Sequence, residues 1–362
     1  PGSGNKYYLD GVLQATYAAT PGNTYKFDQA DGSNSGHPLR LSITSDGTHN
    51  SGSAYTTGVT TNGTPGSAGA SGSFKAITAG VGSWASGGAM GTARAYMGGA
   101  GSQTAGLVYG GQTPSATGNT EEYNGTAWSE QNNLNLARSY QAGGGTQTAA
   151  ISSGGFVAPN DKTETEIYNG TSWIEVADIN TGRSLYCGQA GSSTANLIFG
   201  GYDETSPHIK AITESWNGSA WTEVADLNTA RYNGGGTGTQ TSGILAGGTP
   251  GSGVTGATEL WNGSAWTETT DLNTARTTAA SGADNTAVLV AGGGSTNKDE
   301  TENWDGTSWT EVANLSTGNT GGSGNSGSTN KATLNFGGTP SYKTATEEWT
   351  VPDFTVKTLT TS

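Results

Sequence analysis

Glutamate and arginine recur at fixed places in this chain, and their side chains could support acid–base chemistry. A Thr-Glu pair places a carboxylate at Glu121, Glu166, Glu214, Glu259, Glu302 and Glu347. An arginine recurs at Arg94, Arg138, Arg183, Arg231 and Arg276, and Asn319 takes the sixth place. Acid–base catalysis needs two groups in unlike environments, whereas a repeated residue meets the same environment each time. We therefore predict structural hydrogen bonds and ion pairs within or between repeats, rather than a ring of catalytic carboxylates.

The unit that positions these residues is about 45 residues long, occurs six times and is clearest at 221–265. Tryptophans recur every 43 to 48 residues, at Trp84, Trp128, Trp173, Trp221, Trp266 and Trp309. Gly-Gly pairs keep step with them, beginning at Gly110, Gly154, Gly200, Gly247, Gly292 and Gly337. A repeat of this length, built from short strands and turns, is typical of the blades of a β-propeller.

Each repeat predicts four strands, which we letter a to d. The apolar run that ends in Gly-Gly indicates a buried strand b. The segment T-E-x-[YW] and the Trp segment after it indicate strands c and d, joined by Asn-Gly or Asp-Gly, which favours a tight hairpin. Small residues after the arginine indicate an inner strand a, where blades crowd together. The predicted fold is all-β, a six-bladed β-propeller.

The repeat resembles kelch-type β-propeller repeats. The resemblance is carried by the run Ile244-Leu245-Ala246-Gly247-Gly248, by Trp261 and by Trp266, and it covers residues 84 to about 360. It implies six kelch-like blades, or seven if the N-terminal region supplies a degenerate blade. The resemblance says little about activity, because kelch-like propellers serve as binding platforms, cytoskeletal partners and a few oxidases.

The two ends of the repeat array must close the ring. Segment 351–359 alternates in hydrophobicity and stands where strand d of the sixth repeat belongs, so we predict that it completes the sixth blade. Segment 73–77 is a candidate outer strand at the seam. The predicted domains are a small β module with a loop-rich linker at 1–80 and the propeller at 81–362.

Residues 1–80 contain no copy of the repeat. They indicate short strands at 6–9, 24–28 and 39–43, with a loop-rich connection at 51–72. The stretch from Tyr25 to His49 resembles a small cupredoxin-like β module of marine phage and bacterial surface proteins, which implies a β-sandwich-like fold.

In the fuller form of that module the His before Pro, here His37, would bind copper together with a downstream Cys, His and Met. No Cys or His lies between Ile77 and Trp84, and only Met90 matches the last ligand. A soft copper site needs thiolate and imidazole together. We therefore predict no metal and no other cofactor.

The sequence motifs of enzymes are weak or missing. Kelch-like copper radical oxidases need a Tyr–Cys cross-link beside two His, but this chain has the single Cys187 and its three histidines, His37, His49 and His208, are mostly far apart. The N-G-[ST]-x-W turns lack the Asp of sialidase-like boxes, and there is no P-loop, H-E-x-x-H or nucleophile elbow. We predict a non-enzymatic protein and keep an oxidase remnant as a lesser alternative.

The composition restricts the classes of partner that we expect. The formal net charge is -14 with a pI near 4.5, and basic clusters are lacking, which argues against nucleic acid and anionic membranes. One cysteine rules out a disulfide framework, and no run of 18 apolar residues is present. We expect neither a nucleic-acid partner nor membrane insertion.

The connections between strands b and c differ between repeats, whereas the strands do not. The longest connection contains our candidate binding residues, Tyr202, Asp203, Glu204, His208 and Lys210. Variable loops on a constant scaffold are a common way to build a binding surface. The alternative, that this loop is only a tolerated insertion, stays open.

A Thr/Gly/Ser/Asn-rich composition, scarce Lys and Cys, and the resemblance of both modules to phage and bacterial surface sequences favour an extracellular protein. The leading hypothesis is a virion structural or adhesion protein, such as a phage tail fibre, tail-associated or capsid-decorating protein. It would assemble with other subunits, as a homo-oligomer, and bind host-surface carbohydrate or a neighbouring subunit. The alternative is a secreted bacterial carbohydrate-binding or fibril-forming surface protein.

Overall fold

The computed structural model describes residues 82–352, apart from 186, 278, 283, 295–297 and 320–322, together with five short strands between residues 8 and 75. Every regular element in these residues is a β-strand. The chain divides into two compact units, Pro1–Val81 with Val351–Ser362 and Gly82–Thr350. The larger unit holds the strands of all six repeats.

The larger unit is a six-bladed β-propeller, as predicted. Each blade is a four-stranded antiparallel sheet with strand a innermost. Strands a to d of the first three blades are Gly98–Ser102, Ala105–Tyr109, Thr120–Tyr123 and Trp128–Gln131; Ala142–Thr146, Ala149–Ser153, Thr165–Tyr168 and Trp173–Val176; and Gly188–Gly191, Asn196–Phe199, Thr213–Trp216 and Trp221–Val224. Those of the last three are Gly235–Thr239, Ser242–Ala246, Thr258–Trp261 and Trp266–Thr269; Ala279–Gly282, Val288–Gly293, Lys298–Trp304 and Trp309–Val312; and Ser323–Thr329, Ala332–Gly337, Thr346–Thr350 and Ser83–Ser86. Consecutive inner strands contact one another all the way round, including blade 6 with blade 1, so the ring is closed.

The sixth blade takes its strand d from the start of the unit. Ser83–Ser86 pairs with Thr346–Thr350, which places Trp84 opposite Trp349 in the same register as the other c–d pairs. The prediction that 351–359 supplies this strand is therefore wrong, and most of that segment lies outside the described residues. Of the two candidate segments, only Ser83–Ser86 carries the tryptophan that is typical of strand d, and this is the segment that pairs.

The smaller unit contains a two-stranded hairpin and a three-stranded sheet. The hairpin joins Tyr8–Leu9 to Val12–Leu13. In the sheet, Ser71–Lys75 lies between Thr24–Asp28 and Val59–Asn62. Both edges of the middle strand are thus hydrogen-bonded to strands of this sheet.

This sheet confirms one prediction for the N-terminal region and corrects two. The strand predicted at 24–28 is present with those bounds. Segment 73–77 is not an outer strand of the propeller seam, because its described part is the middle strand of the separate sheet. The connection predicted as a loop at 51–72 includes a strand at Val59–Asn62. His37, His49 and the predicted strand at 39–43 lie outside the described residues.

The hydrophobic core lies between neighbouring blades. Between blades 3 and 4, Leu197 and Phe199 pack against Leu245, Trp261 and Trp266, all of them buried. The rings of Phe199 and Trp266 meet edge to face at 4.7 Å. Offset and edge-to-face aromatic contacts add stability beyond their buried area, so a few large rings hold together blades that are otherwise rich in Gly, Ser and Thr.

The inner strands are rich in glycine because the blades crowd the centre. A Cβ at Gly98 would collide with the ring of Tyr109. A Cβ at Gly236 would collide with the backbone of Gly188 in the neighbouring blade. Glycine lets these backbones approach closely, which brings the chain segments just before each strand a together around the centre.

Candidate functional site

The repeated Glu–Arg pairs are buried inside the first five blades, as predicted. The guanidinium groups of Arg94, Arg138 and Arg183 donate to Glu121, Glu166 and Glu214 at 2.8, 2.8 and 2.9 Å, and Arg231 and Arg276 donate to Glu259 and Glu302. The arginine side chains are fully inaccessible, and the glutamates are 0 to 1% exposed. Burial lowers the pKa of Arg94 to about 10, against the attraction of Glu121, so it stays charged at neutral pH.

Each of these glutamates also holds the turn that leads into strand a. Glu259 accepts hydrogen bonds from the backbone N–H of Asn228 and from its side-chain amide, at 2.8 and 2.9 Å. Blade 6 keeps this arrangement without arginine: Glu347 accepts from the N–H of Ser316 at 2.8 Å, and Asn319 donates to Asn335. The repeated charged groups therefore build the scaffold, and the non-repeated residues are left to make a site.

The connections between strands lie at two opposite ends of the propeller. Because the strands of a blade are antiparallel, the b–c and d–a connections share one end and the a–b and c–d turns share the other. We call the first end the loop face. Its described residues are 110–119, 154–164, 200–212, 247–257, 294 and 338–345 from the b–c connections and 87–97, 132–141, 177–185, 187, 225–234, 270–277 and 313–319 from the d–a connections.

The predicted binding loop, 202–210, is held in one shape by its own bonds. The N–H of Asp203 donates to the carbonyl of His208 at 2.9 Å, and the N–H of Lys210 donates to Gly201 at 2.9 Å. The Lys210 ammonium pairs with the Asp203 carboxylate at 3.0 Å, and both side chains are buried. Burial alone would raise the pKa of Asp203, but hydrogen bonds from Thr205 and Lys210 hold it below its usual value.

The other three predicted residues lie nearer to solvent. Glu204 and His208 are exposed and Tyr202 is half-buried. The rings of Tyr202 and His208 stack at 5.5 Å, and Tyr232 from the next blade meets Tyr202 edge to face at 5.7 Å. The five predicted residues thus come together, with Asp203 and Lys210 as an internal support and the other three as the accessible groups.

The binding loop also contacts the preceding blade. The N–H of Glu204 donates to the Asp161 carboxylate at 3.0 Å. Burial raises the pKa of Asp161, and the charges of Glu204 and Asp203 act in the same direction. The loop is therefore supported from blade 2 and from blade 4, so the surface around Tyr202 spans three blades.

No family model matches this chain, and a search of curated proteins finds no significant match. Within residues 82–352 as described, no three His, Cys, Asp or Glu side chains are grouped to hold a metal ion. The same residues contain no helix long and apolar enough to cross a membrane. Cys187 is buried in the core beside strand a of blade 3, and burial raises the pKa of its thiol to about 12.

Sequence reasoning missed a cluster of tyrosines on the loop face. Tyr96 and Tyr140 stand two residues after the repeated arginine in blades 1 and 2, and their rings stack at 4.3 Å. Both have left-handed backbone, with φ of 63° and 59°. Tyr342 joins them from the b–c connection of blade 6, where the carbonyl of the next residue, Lys343, accepts from the N–H of Arg94 at 3.1 Å. The recurrence of Tyr at one repeat position could have revealed Tyr96 and Tyr140. No feature of the sequence indicated that Tyr342 of blade 6 lies near them.

Proposed function

We propose that this chain is a non-enzymatic structural and adhesion protein of a phage virion. In this role, as a tail fibre, tail-associated or capsid-decorating protein, its kelch-like propeller binds host-surface glycan or a neighbouring subunit through the loop face. In this role the chain forms a homo-oligomer and acts outside the cell.

The observation that carries the proposal is the contrast between scaffold and loop. Glu259 and its counterparts in blades 1, 2, 3 and 5 bind the guanidinium and the turn of their own blade, so these five blades have the same charged interior. The loop at 202–210 lies in the longest of the described b–c connections, and its Asp203–Lys210 pair and hairpin bonds hold Tyr202, Glu204 and His208 in place. A pre-formed loop loses little conformational freedom on binding, which favours affinity.

Tyr202 and His208 suit a ligand that has both apolar and polar faces. A tyrosine or histidine ring offers an apolar face with a polar atom at its edge, and tyrosine is enriched at binding surfaces. Sugars and the surfaces of neighbouring subunits both present this mixture. The exposed Glu204 beside them adds an acceptor for hydroxyl groups.

Electron microscopy of the native particles tests the virion role. Antibodies raised against the propeller and labelled with gold should mark the tail or the capsid of a phage particle. Label confined to filaments of this chain alone, or to secreted protein, would refute the virion role and support the secreted bacterial alternative.

A binding assay with the purified chain tests the loop. Tyr202→Ala and His208→Ala should each weaken attachment to host cells or to the partner subunit, while Asn262→Asp on the opposite, turn-bearing end should leave it unchanged. Equal attachment by all variants would remove 202–210 from the binding surface.

A further inference from the structure

Tyr96 and Tyr140 of the tyrosine cluster stand at a repeat position with left-handed backbone. A bulky residue with φ near +60° costs roughly 1–2 kcal/mol and is uncommon. The same repeat position has φ of 56° at Leu185 and at Asn233, so the left-handed turn belongs to the scaffold. The aromatic side chains in blades 1 and 2 do not, because leucine and asparagine occupy the position in blades 3 and 4. What distinguishes blades 1 and 2 is therefore the pair of rings and not the backbone that carries them.

The backbone keeps the two strained tyrosines together. The N–H of Tyr140 donates to the carbonyl of Tyr96 at 2.8 Å, and Asn233 makes the same bond to Leu185 at 3.1 Å. The Tyr140 hydroxyl is hydrogen-bonded to Tyr96, and burial together with Tyr96 and Tyr342 raises the pKa of Tyr140. All three tyrosines are half-buried. They therefore form a fixed aromatic surface with hydroxyl groups along it.

The charges around the cluster favour a neutral ligand. The guanidinium groups of Arg94 and Arg138 lie in the same connections, but both are buried and paired with glutamate. The Lys343 ammonium, next to Tyr342, donates to the carbonyl of Gly318 at 2.9 Å. With a net charge of -14 on the whole chain, an acidic sugar would meet repulsion and no accessible guanidinium to offset it.

We propose that Tyr96, Tyr140 and Tyr342 form a stacking site for a neutral hexopyranose, on the loop face where the first and last blades meet. One face of such a sugar is lined by C–H groups, whose positive edges are attracted to the negative face of an aromatic ring. Its hydroxyl groups would exchange hydrogen bonds with the tyrosine hydroxyls, which both donate and accept. This inference rests on the proposed function, since it takes glycan as the ligand of the loop face.

Glycine substitution gives a clean test in the full chain. Tyr96→Gly/Tyr140→Gly removes both rings and suits the left-handed backbone, so the fold should be kept or stabilised. Leu185→Gly makes the same backbone change in blade 3 and serves as the matched control. If the glycine variant fails to fold in a thermal melt, Tyr96→Asn/Tyr140→Asn replaces it, because Asn233 already adopts this conformation.

The probes are arrayed oligosaccharides ending in glucose, galactose, mannose or N-acetylglucosamine, with matched sialylated forms, followed by calorimetry on the best binder. We expect the wild type and Leu185→Gly to bind a neutral glycan equally, and the double tyrosine variant to bind it about tenfold more weakly or worse. Three results would each overturn the proposed site. They are undiminished binding by the double variant, binding of sialylated glycans alone, and no glycan binding by the wild type.

Failure of this site differs from failure of the proposed function. Suppose that Tyr202→Ala abolishes glycan binding but Tyr96→Gly/Tyr140→Gly keeps it. That result refutes the tyrosine cluster as the glycan site and leaves the proposed adhesion function unaffected. Absence of the chain from phage particles refutes the virion role, while the calorimetric comparison still decides whether the tyrosines bind sugar.

Discussion

At the scale of single residues, the buried Glu259 accepts hydrogen bonds from three kinds of donor at once. Glu259 accepts from the Arg231 guanidinium, from the backbone of Asn228 and from the Asn228 side chain. Burying two charges costs desolvation free energy, which is recovered only when both partners and their remaining atoms are satisfied. Removing one partner should therefore be far more harmful than removing both.

We predict that Arg231→Met lowers the free energy of unfolding by about 3 kcal/mol or more, because it leaves the Glu259 charge buried and unpaired. Arg231→Met/Glu259→Gln should recover part of that loss. Urea unfolding measures both. Lys298→Met is the control, since its pair with Glu300 at 3.1 Å is partly exposed and such pairs contribute about 1 kcal/mol or less. Equal losses for Arg231→Met and Lys298→Met would contradict the prediction.

The turn at Asp305 gives a pH-dependent prediction. Its carboxylate accepts from the Thr307 hydroxyl and from the N–H groups of Ser308 and Thr307, which lowers the pKa of Asp305 from 3.8 to about 2. A lowered folded-state pKa means that the stabilisation is complete above about pH 4 and is lost as the pH falls to about 2.

Asp305→Asn removes this titration but keeps the turn, because Asn262 accepts the equivalent bonds in blade 4. The urea midpoint of the wild type should therefore fall more between about pH 5 and about pH 2 than the midpoint of Asp305→Asn. Parallel pH curves for the two proteins would show that the titration of Asp305 does not change stability in this pH range.

At the scale of strands, a tryptophan of strand d fastens five of the six blades to the blade before it. The indole N–H of Trp266 donates to the Thr213 hydroxyl at 3.1 Å, and Trp173 donates to Thr120 at 3.0 Å. Blade 3 is the exception: the indole of Trp221 and the hydroxyl of Thr165 occupy the same places without a partner among the described residues. The chain thus contains its own control for this bond.

We predict that Thr213→Val costs about 1–2 kcal/mol, because it leaves the buried indole N–H of Trp266 unpaired. Thr165→Val should cost much less, since the Trp221 indole has no bond to lose. Thermal unfolding of the two variants makes the comparison. A loss in Thr165→Val as large as in Thr213→Val would mean that the hydroxyl serves packing rather than the indole.

The strands could be predicted from the sequence wherever local chemistry marks them. The Asn-Gly turns fix where strands c and d meet, and the Gly-Gly pairs mark the end of strand b. The closing strand could not be told apart locally, because 351–359 has a strand pattern of its own and strand pairing across the whole unit is non-local. The signature at Trp84 was the better guide, since it carries the ring that meets Trp349 at 5.4 Å.

The candidate site was only partly predictable for the same reason. Loop length identified 202–210, and its residues do assemble, but the split between the buried Asp203–Lys210 pair and the exposed groups depends on tertiary contacts. Tyr140 and Tyr342 are far apart in sequence and come near each other only because the ring closes. The left-handed backbone at Tyr96 and Tyr140 is not signalled by Gly or Asn.

At the scale of the whole molecule, the two ends of the propeller unit lie side by side. Thr350 pairs directly with Ser83 across the last two strands, and paired residues of this kind are about 5 Å apart. A short glycine linker can therefore join them.

We predict that a circular permutant of Gly82–Thr350, with new ends between Gly218 and Ser219, folds to the same propeller. That turn is exposed, and exposed turns tolerate new chain ends. Circular dichroism and the melting temperature should match those of the parent unit. A permutant opened inside strand b at Leu245, which is 1% exposed, should not fold; equal behaviour of both permutants would argue against a closed ring.

The pairing of Ser83–Ser86 with Thr346–Thr350 also sets an order of events during protein synthesis. The ribosome makes the closing strand before every other strand of the propeller and its partner after all the others, at about 5–20 residues per second. For some tens of seconds, Trp84 must wait as part of an unpaired edge, which is prone to aggregate. Folding of this chain therefore finishes only after translation of the last blade, and any nascent-chain chaperone it needs should act on its first blade-forming segment.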